Sequence, residues 1–160
     1  MITEIYFMKK KLAVYIVLTL LIVIQFIRSP KNESTELLAT DITKVTEVPE
    51  GVQQLLKTAC YDCHSNNTIY PWYNNIQPVA FWLNRHVEEG KQKLNFSDFG
   101  SYNTKKAKHK LTEIAAVLEE DEMPLFSYTL IHQNAKLDEL QKKLIVVWAK
   151  NNAVTYTAAN

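Results

Sequence analysis

Residues 60–73 read CYDCHSNNTIYPWY and hold both cysteines of the chain, one of its four histidines and a dense set of aromatic rings. Three chemistries use a C-x-x-C spacing: a redox dithiol, a metal site, and covalent attachment of a prosthetic group. The residues outside the motif decide between them.

A thioredoxin-type dithiol follows a strand in an α/β pattern, and no alternating apolar stretch of that kind exists in this chain. Structural zinc asks for four Cys or His ligands. Cys60, Cys63 and His64 supply three, and the adjacent Cys63 and His64 crowd a tetrahedral ion. A Cys60–Cys63 disulfide suits an oxidising compartment but gives His64 no role. C-x-x-C-H is the signature of c-type haem attachment. On a helical turn, positions i, i+3 and i+4 share a face, so two thiols and one imidazole can meet one macrocycle.

The chain around the motif reads as helical. Its 160 residues suit one domain with accessories, and a hydrophobic fraction of 47% with 22% charged residues is that of an ordinary globular protein. A formal net charge of +1 gives no sign of nucleic-acid binding. Three glycines and five prolines speak against a barrel or sandwich built on many tight turns.

Four stretches carry helical periodicity. Residues 49–60 place Val52, Leu55, Leu56 and Ala59 on one face and lead into the motif. Residues 76–94 put Val79, Trp82 or Leu83, and His86 or Val87 on a common side, with a stop at Gly90 or at Asn95 to Asp98. Residues 104–120 carry Leu111, Ile114, Ala115 and Leu118, and residues 137–150 carry Leu140, Leu144, Val147 and Trp148. Asp138 with Gln141 three residues on has the form of a capping box. The expected fold is an all-α, cytochrome c-like helical domain of about four helices over residues 49–151, with a tail at 152–160.

Ahead of it, Lys9, Lys10 and Lys11 precede an apolar run from Leu12 to Ile27, slightly short of the roughly 20 residues that span a bilayer. No small-x-small cleavage site follows, so residues 1–28 are expected to be an uncleaved anchor rather than a removed signal. The lysines predict an N-terminus on the cytoplasmic side of the membrane and the rest of the chain on the periplasmic side. Residues 29–48, rich in Lys, Glu, Thr, Ser and Asp, read as a tether.

The stretches CYDCHSNNTIYPWY, PVAFWLNRHVEEG (79–90 with Pro78), NFS (95–97), Met123–Pro124 and the helix of Trp148 together resemble the bacterial haem-binding domain family of small c-type cytochromes. The resemblance runs from about Pro49 to Asn151 and implies one covalent haem c per chain, held by Cys60, Cys63 and His64. It says little about physiological partners, and the redox partner is left open.

Met123 is the sole methionine outside the N-terminal segment and the expected sixth iron ligand, with His86 and His132 as rivals. Methionine and histidine together favour one-electron transfer; a bis-His or open site would suit a gas or redox sensor or a peroxidase-like enzyme. The first is the reading here, so no catalysis is expected. Trp72, Tyr73 and Trp82, with Tyr61, Tyr70 and Phe81, are the rings expected to wall a haem. The run EEDE at Glu119 to Glu122 closes a helix that opens on lysines, against the macrodipole, and suggests an acidic surface for a basic redox partner.

Overall fold

A computed structural model describes residues 2–157. The described residues form eight α-helices and three short 3₁₀ turns joined by loops, with no strand beyond one isolated bridge between Glu33 and Asn67. The helices are α1 (Ile2–Ile24), α2 (Ile42–Val45), α3 (Glu50–Ala59), α4 (Tyr61–His64), α5 (Val79–Lys93), α6 (Thr104–Glu119), α7 (Phe126–Thr129) and α8 (Glu139–Thr155). The all-helical expectation holds.

The chain forms two compact units. The first comprises residues 1–31 and 70–86. Its α1 is apolar all round beyond the lysines, and Leu12, Tyr15, Ile16, Leu20 and Ile22 are exposed. The end of α1 is tied to the turn before α5 by paired glutamines. Gln25 Nε2 donates to the Gln77 carbonyl at 3.1 Å, the Gln77 amide donates to Gln25 Oε1 at 3.0 Å, and Gln77 Nε2 donates to the Ile27 carbonyl at 2.9 Å. Gln77 is buried, and these bonds satisfy it.

The expected membrane anchor is not supported: among the described residues no helix is long and apolar enough to cross a membrane. The lysines lie inside α1, so its uncharged part runs only from Leu12 to Ile24. At 1.5 Å per residue that is about 20 Å, against a hydrocarbon core of about 30 Å.

The second unit comprises residues 32–69 and 87–160 and holds the main core. Helix α6 presents Ala107, Leu111, Ile114, Ala115 and Leu118 to it, all buried, as the spacing predicts. Helix α3 adds Val52, Leu56 and Ala59. The capping box of α8 is present in full: Asp138 Oδ1 accepts from the Gln141 amide at 2.8 Å, and Gln141 Oε1 accepts from the Asp138 amide at 2.9 Å.

Two expectations change here. Helix α8 buries Ile145, Val146, Trp148 and Ala149, whereas Leu140, Leu144 and Val147 are exposed, so the helix is turned from the face its Leu spacing suggests. Both of its stripes are apolar, and packing against α6 and α3 selects the one with small Ala149 and flat Trp148. The tether expected at residues 29–48 is instead folded from Asn32 onward. Ile42 is wholly buried, Asp41 caps α2 through the Thr43 amide at 2.9 Å, and the Glu47 carbonyl accepts from Trp148 Nε1 at 3.0 Å. The expected tail likewise includes Tyr156, buried edge-on against Phe99.

Candidate haem site

The motif sits at a break between two helices. Helix α3 ends at Ala59, Cys60 leaves helical geometry at φ −127° and ψ −38°, and the chain coils for one further turn, α4, from Tyr61 to His64. That break directs Cys60 and His64 into one apolar crevice, lined also by Leu56, Ala59, Leu94, Phe96, Ile114, Val117, Leu118, Met123, Pro124 and Ile145.

His64 is held by its inner nitrogen. Nδ1 lies 2.9 Å from the Gly90 carbonyl oxygen and 3.1 Å from that of Leu94, so Nδ1 carries the proton and Nε2 is left as the acceptor. Burial pushes the imidazole below its ordinary pKa, opposed by the two carbonyls. The neutral ring with a fixed Nδ1–H is the form that binds a metal through Nε2.

Both thiols are free. Burial, with the neighbouring Cys63, pushes Cys60 up to about 12; burial, with Asp62, pushes Cys63 up to about 11. Both are pushed away from the depressed pKa that a redox dithiol needs.

The loop after the motif is pinned by side chains the sequence did not single out. Asn32 Nδ2 donates to the Ser65 carbonyl and to Thr68 Oγ1, each at 2.9 Å. The Asn66 amide donates to Ser97 Oγ at 3.1 Å, and Asn95 Nδ2 donates to Asn66 Oδ1 at 2.9 Å. The NFS stretch therefore serves two purposes: Asn95 and Ser97 hold the loop, and Phe96 between them enters the crevice and stacks on Tyr61 at 5.0 Å.

Of the residues singled out from sequence, Cys60, His64 and Met123 line the crevice together. Trp72, Tyr73, Trp82 and His86 belong to the first unit. There Trp72 is 76% exposed, and His86 packs on Trp82 at 4.2 Å with Nδ1 2.8 Å from the Trp82 carbonyl oxygen. His132 stacks on Tyr128 at 4.3 Å and is not among the crevice residues. Phe96 and Leu94 were missed as walls, although Phe96 lies inside the quoted NFS stretch.

The reversed charges of α6 find partners on α8. Glu119 accepts from Lys150 at 2.6 Å, and Asp121 pairs with Lys142, which also reaches Glu139 at 2.8 Å. Solvent screens exposed pairs of this kind, so they add little stability, and they neutralise half of the acidic run.

The donor set fits a haem: a neutral imidazole with a free Nε2, the Cys60 thiol and the Met123 thioether line one crevice, and Cys63, on the same turn, lies against Gly90 and is not among the lining residues. The crevice itself measures about 50 Å³, whereas ligand pockets run to roughly 300–1,000 Å³. Binding a macrocycle must therefore part the walls. Outside the helices and 3₁₀ turns, those walls are Leu94 and the Met123–Pro124 segment, with Cys60 at the helix break.

The sequence profile of the haem-binding domain family matches residues 19–151. The chain belongs to that family, and haem is the cofactor the match supports. No curated protein and no solved structure matches it.

Proposed function

We propose that this haem-binding protein is a c-type cytochrome that carries single electrons and performs no catalysis of its own. The observation that carries the reading is the placement of His64, with Nδ1 fixed on two carbonyls, in one crevice with Cys60 and Met123. Haem supplies a one-electron iron couple when bound. Cys60 and Cys63 are the residues that would hold the haem covalently, each thiol giving one thioether to a vinyl group by addition, with no net oxidation. His64 would hold the iron through Nε2 and Met123 would supply a thioether, a ligand pair that would raise the potential and favour electron transfer.

Location is part of the proposal. Cytochrome c maturation takes place outside the cytoplasm, so the haem domain is placed on the extracytoplasmic side, with α1 lying along the membrane surface rather than across it. The exposed apolar surface of α1, continued by Phe26 and Ile27, holds the protein at the membrane. Membrane fractions prepared at physiological salt should retain the full chain and lose one cut after Arg28.

The deciding experiment is visible spectroscopy of the chain matured with haem, before and after denaturation. Colour that stays with the unfolded chain, and a sulfur-to-iron band lost in Met123→Ala, support the reading. A covalent spectrum without that band points to an open site or to a different sixth ligand. A colourless chain refutes the whole assignment.

A further inference from the structure

We propose that the hydrogen bond from the Tyr128 hydroxyl to the Asp62 carboxylate is a latch that holds the Met123 segment against the crevice. This makes Asp62 and Tyr128 positioning residues, and it rests on the reading of Met123 given above.

Asp62 stands between the two cysteines, and every acceptor it has is engaged. Its Oδ1 accepts from the Ile69 amide at 3.0 Å, its carbonyl accepts from Thr68 Oγ1 at 2.6 Å, and its Oδ2 accepts from Tyr128 at 2.6 Å. Its position relative to the thiols is thereby fixed. A hydroxyl-to-carboxylate bond of this length is of the strong, charge-assisted kind.

The segment that carries Met123 is held at its upstream end by the core. The amides of Glu122 and Met123 both donate to the Val117 carbonyl of α6, at 2.9 and 3.2 Å. Downstream, α7 is a single turn, too short to be stable alone. Apart from Tyr128, whose ring packs against the core, it buries little: Phe126 is 78% exposed, and Leu130 and Ile131 are exposed beside it. Its tie to the motif is Tyr128, whose ring lies on His132 at 13° and whose hydroxyl reaches Asp62. One side chain thus joins the turn that bears the cysteines to the segment that bears the thioether.

The narrow crevice gives the latch its use. Its walls must part to admit a macrocycle, and the Met123–Pro124 segment can swing on Val117 when Tyr128 lets go. Once it has closed, the same bond sets how readily Met123 yields to an outside ligand.

The test is imidazole titration of the full-length ferric protein loaded with haem, followed at the sulfur-to-iron band. Tyr128→Phe should bind imidazole about tenfold more tightly than the unaltered protein. Asp62→Asn should show a smaller gain, because its amide oxygen still accepts. In an Asp62→Ala background the effect of Tyr128→Phe should vanish, which a general loosening of α7 would not produce. Thr129→Ala, which loses only bonds to the Leu125 and Phe126 carbonyls, should titrate like the unaltered protein. An unchanged affinity in Tyr128→Phe, with the band intact, overturns the latch and leaves Met123 ligation standing. Absence of the band from the unaltered protein overturns both. If Tyr128→Phe takes up no haem, Asp62→Asn decides by the same titration.

Discussion

The Gly90 carbonyl lies 2.9 Å from His64 Nδ1, and the Gly90 α-carbon faces the backbone of Cys63 so closely that a Cβ there would stand 2.5 Å from the Cys63 carbonyl oxygen. Contact at that range is backbone against backbone, so no flexible tip can move aside. The absent side chain lets α5 pass against the motif, and that close passage brings the carbonyl within reach of the imidazole. A glycine inside a helix ordinarily costs about 1 kcal/mol relative to alanine. Here alanine is the costlier residue.

Gly90→Ala should therefore destabilise the domain by about 2 kcal/mol and lower the yield of covalently loaded protein. Denaturant midpoints and haem staining of equal amounts of chain measure the two effects. A Gly90→Ala protein as stable as the original would contradict the close approach.

The haem-free chain should show both thiols slow to alkylate at pH 8, with rates still rising between pH 9 and 11. A pKa raised on folding from 9.0 to about 12 at Cys60, and to about 11 at Cys63, means that the folded state holds protons the unfolded state releases. That stabilisation is complete below pH 9 and is lost as pH climbs through 11 to 12. The urea midpoint should accordingly fall between pH 9 and pH 11. Rates that level off near pH 9 would show thiols exposed as in an unfolded chain.

His64 works on the acid side with the opposite sign. Its folded pKa lies below the ordinary 6.5, so the unfolded chain takes up a proton first. Stability from the neutral ring is present above pH 6.5 and is lost as pH falls through the folded value. In the haem-free chain, His64→Gln should flatten the fall in urea midpoint below pH 6.5; an equally steep fall would assign it to other groups.

What could be read from the sequence, and what could not, follows from the range of the interactions. The all-helical class, the α6 face and the α8 capping box depend on residues a turn apart. So does the meeting of Cys60 with His64. The α8 face did not yield to spacing, because Leu140 with Leu144 and Ile145 with Trp148 both make apolar stripes, and only a neighbouring helix chooses. Residues 32–48 look polar in composition, yet one isoleucine and a carbonyl at Glu47 suffice to seat them. Tyr128 and Asp62 are 66 positions apart, beyond any local pattern.

Tyr61→Phe should leave stability unchanged or raise it by up to about 1 kcal/mol. The Tyr61 hydroxyl is buried with no hydrogen-bond partner, and its pKa is raised by burial, with Asp41 and Cys60 adding to the shift. Removing it deletes an unsatisfied donor and keeps the ring stacked on Phe96. A loss above 1 kcal/mol in denaturant melts of the loaded protein would mean that the hydroxyl has a partner there, a carboxylate of the bound group being the natural one.

Ile42→Ala tests whether the stretch after Asn32 belongs to the domain. Ile42 is wholly buried on a four-residue helix that Asp41 caps, and it joins the same core as Phe99 and Trp148. Truncating a buried isoleucine in a packed core costs about 2–5 kcal/mol, the spread reflecting how far the surroundings collapse. A residue on a tether would cost nothing. The full chain carrying Ile42→Ala should lose at least about 2 kcal/mol in urea, whereas Leu37→Ala, at an exposed position of the same stretch, should change it by less than about 0.5 kcal/mol. Equal and negligible effects at both positions would return residues 32–48 to the role of linker and place the start of the folded unit at Pro49.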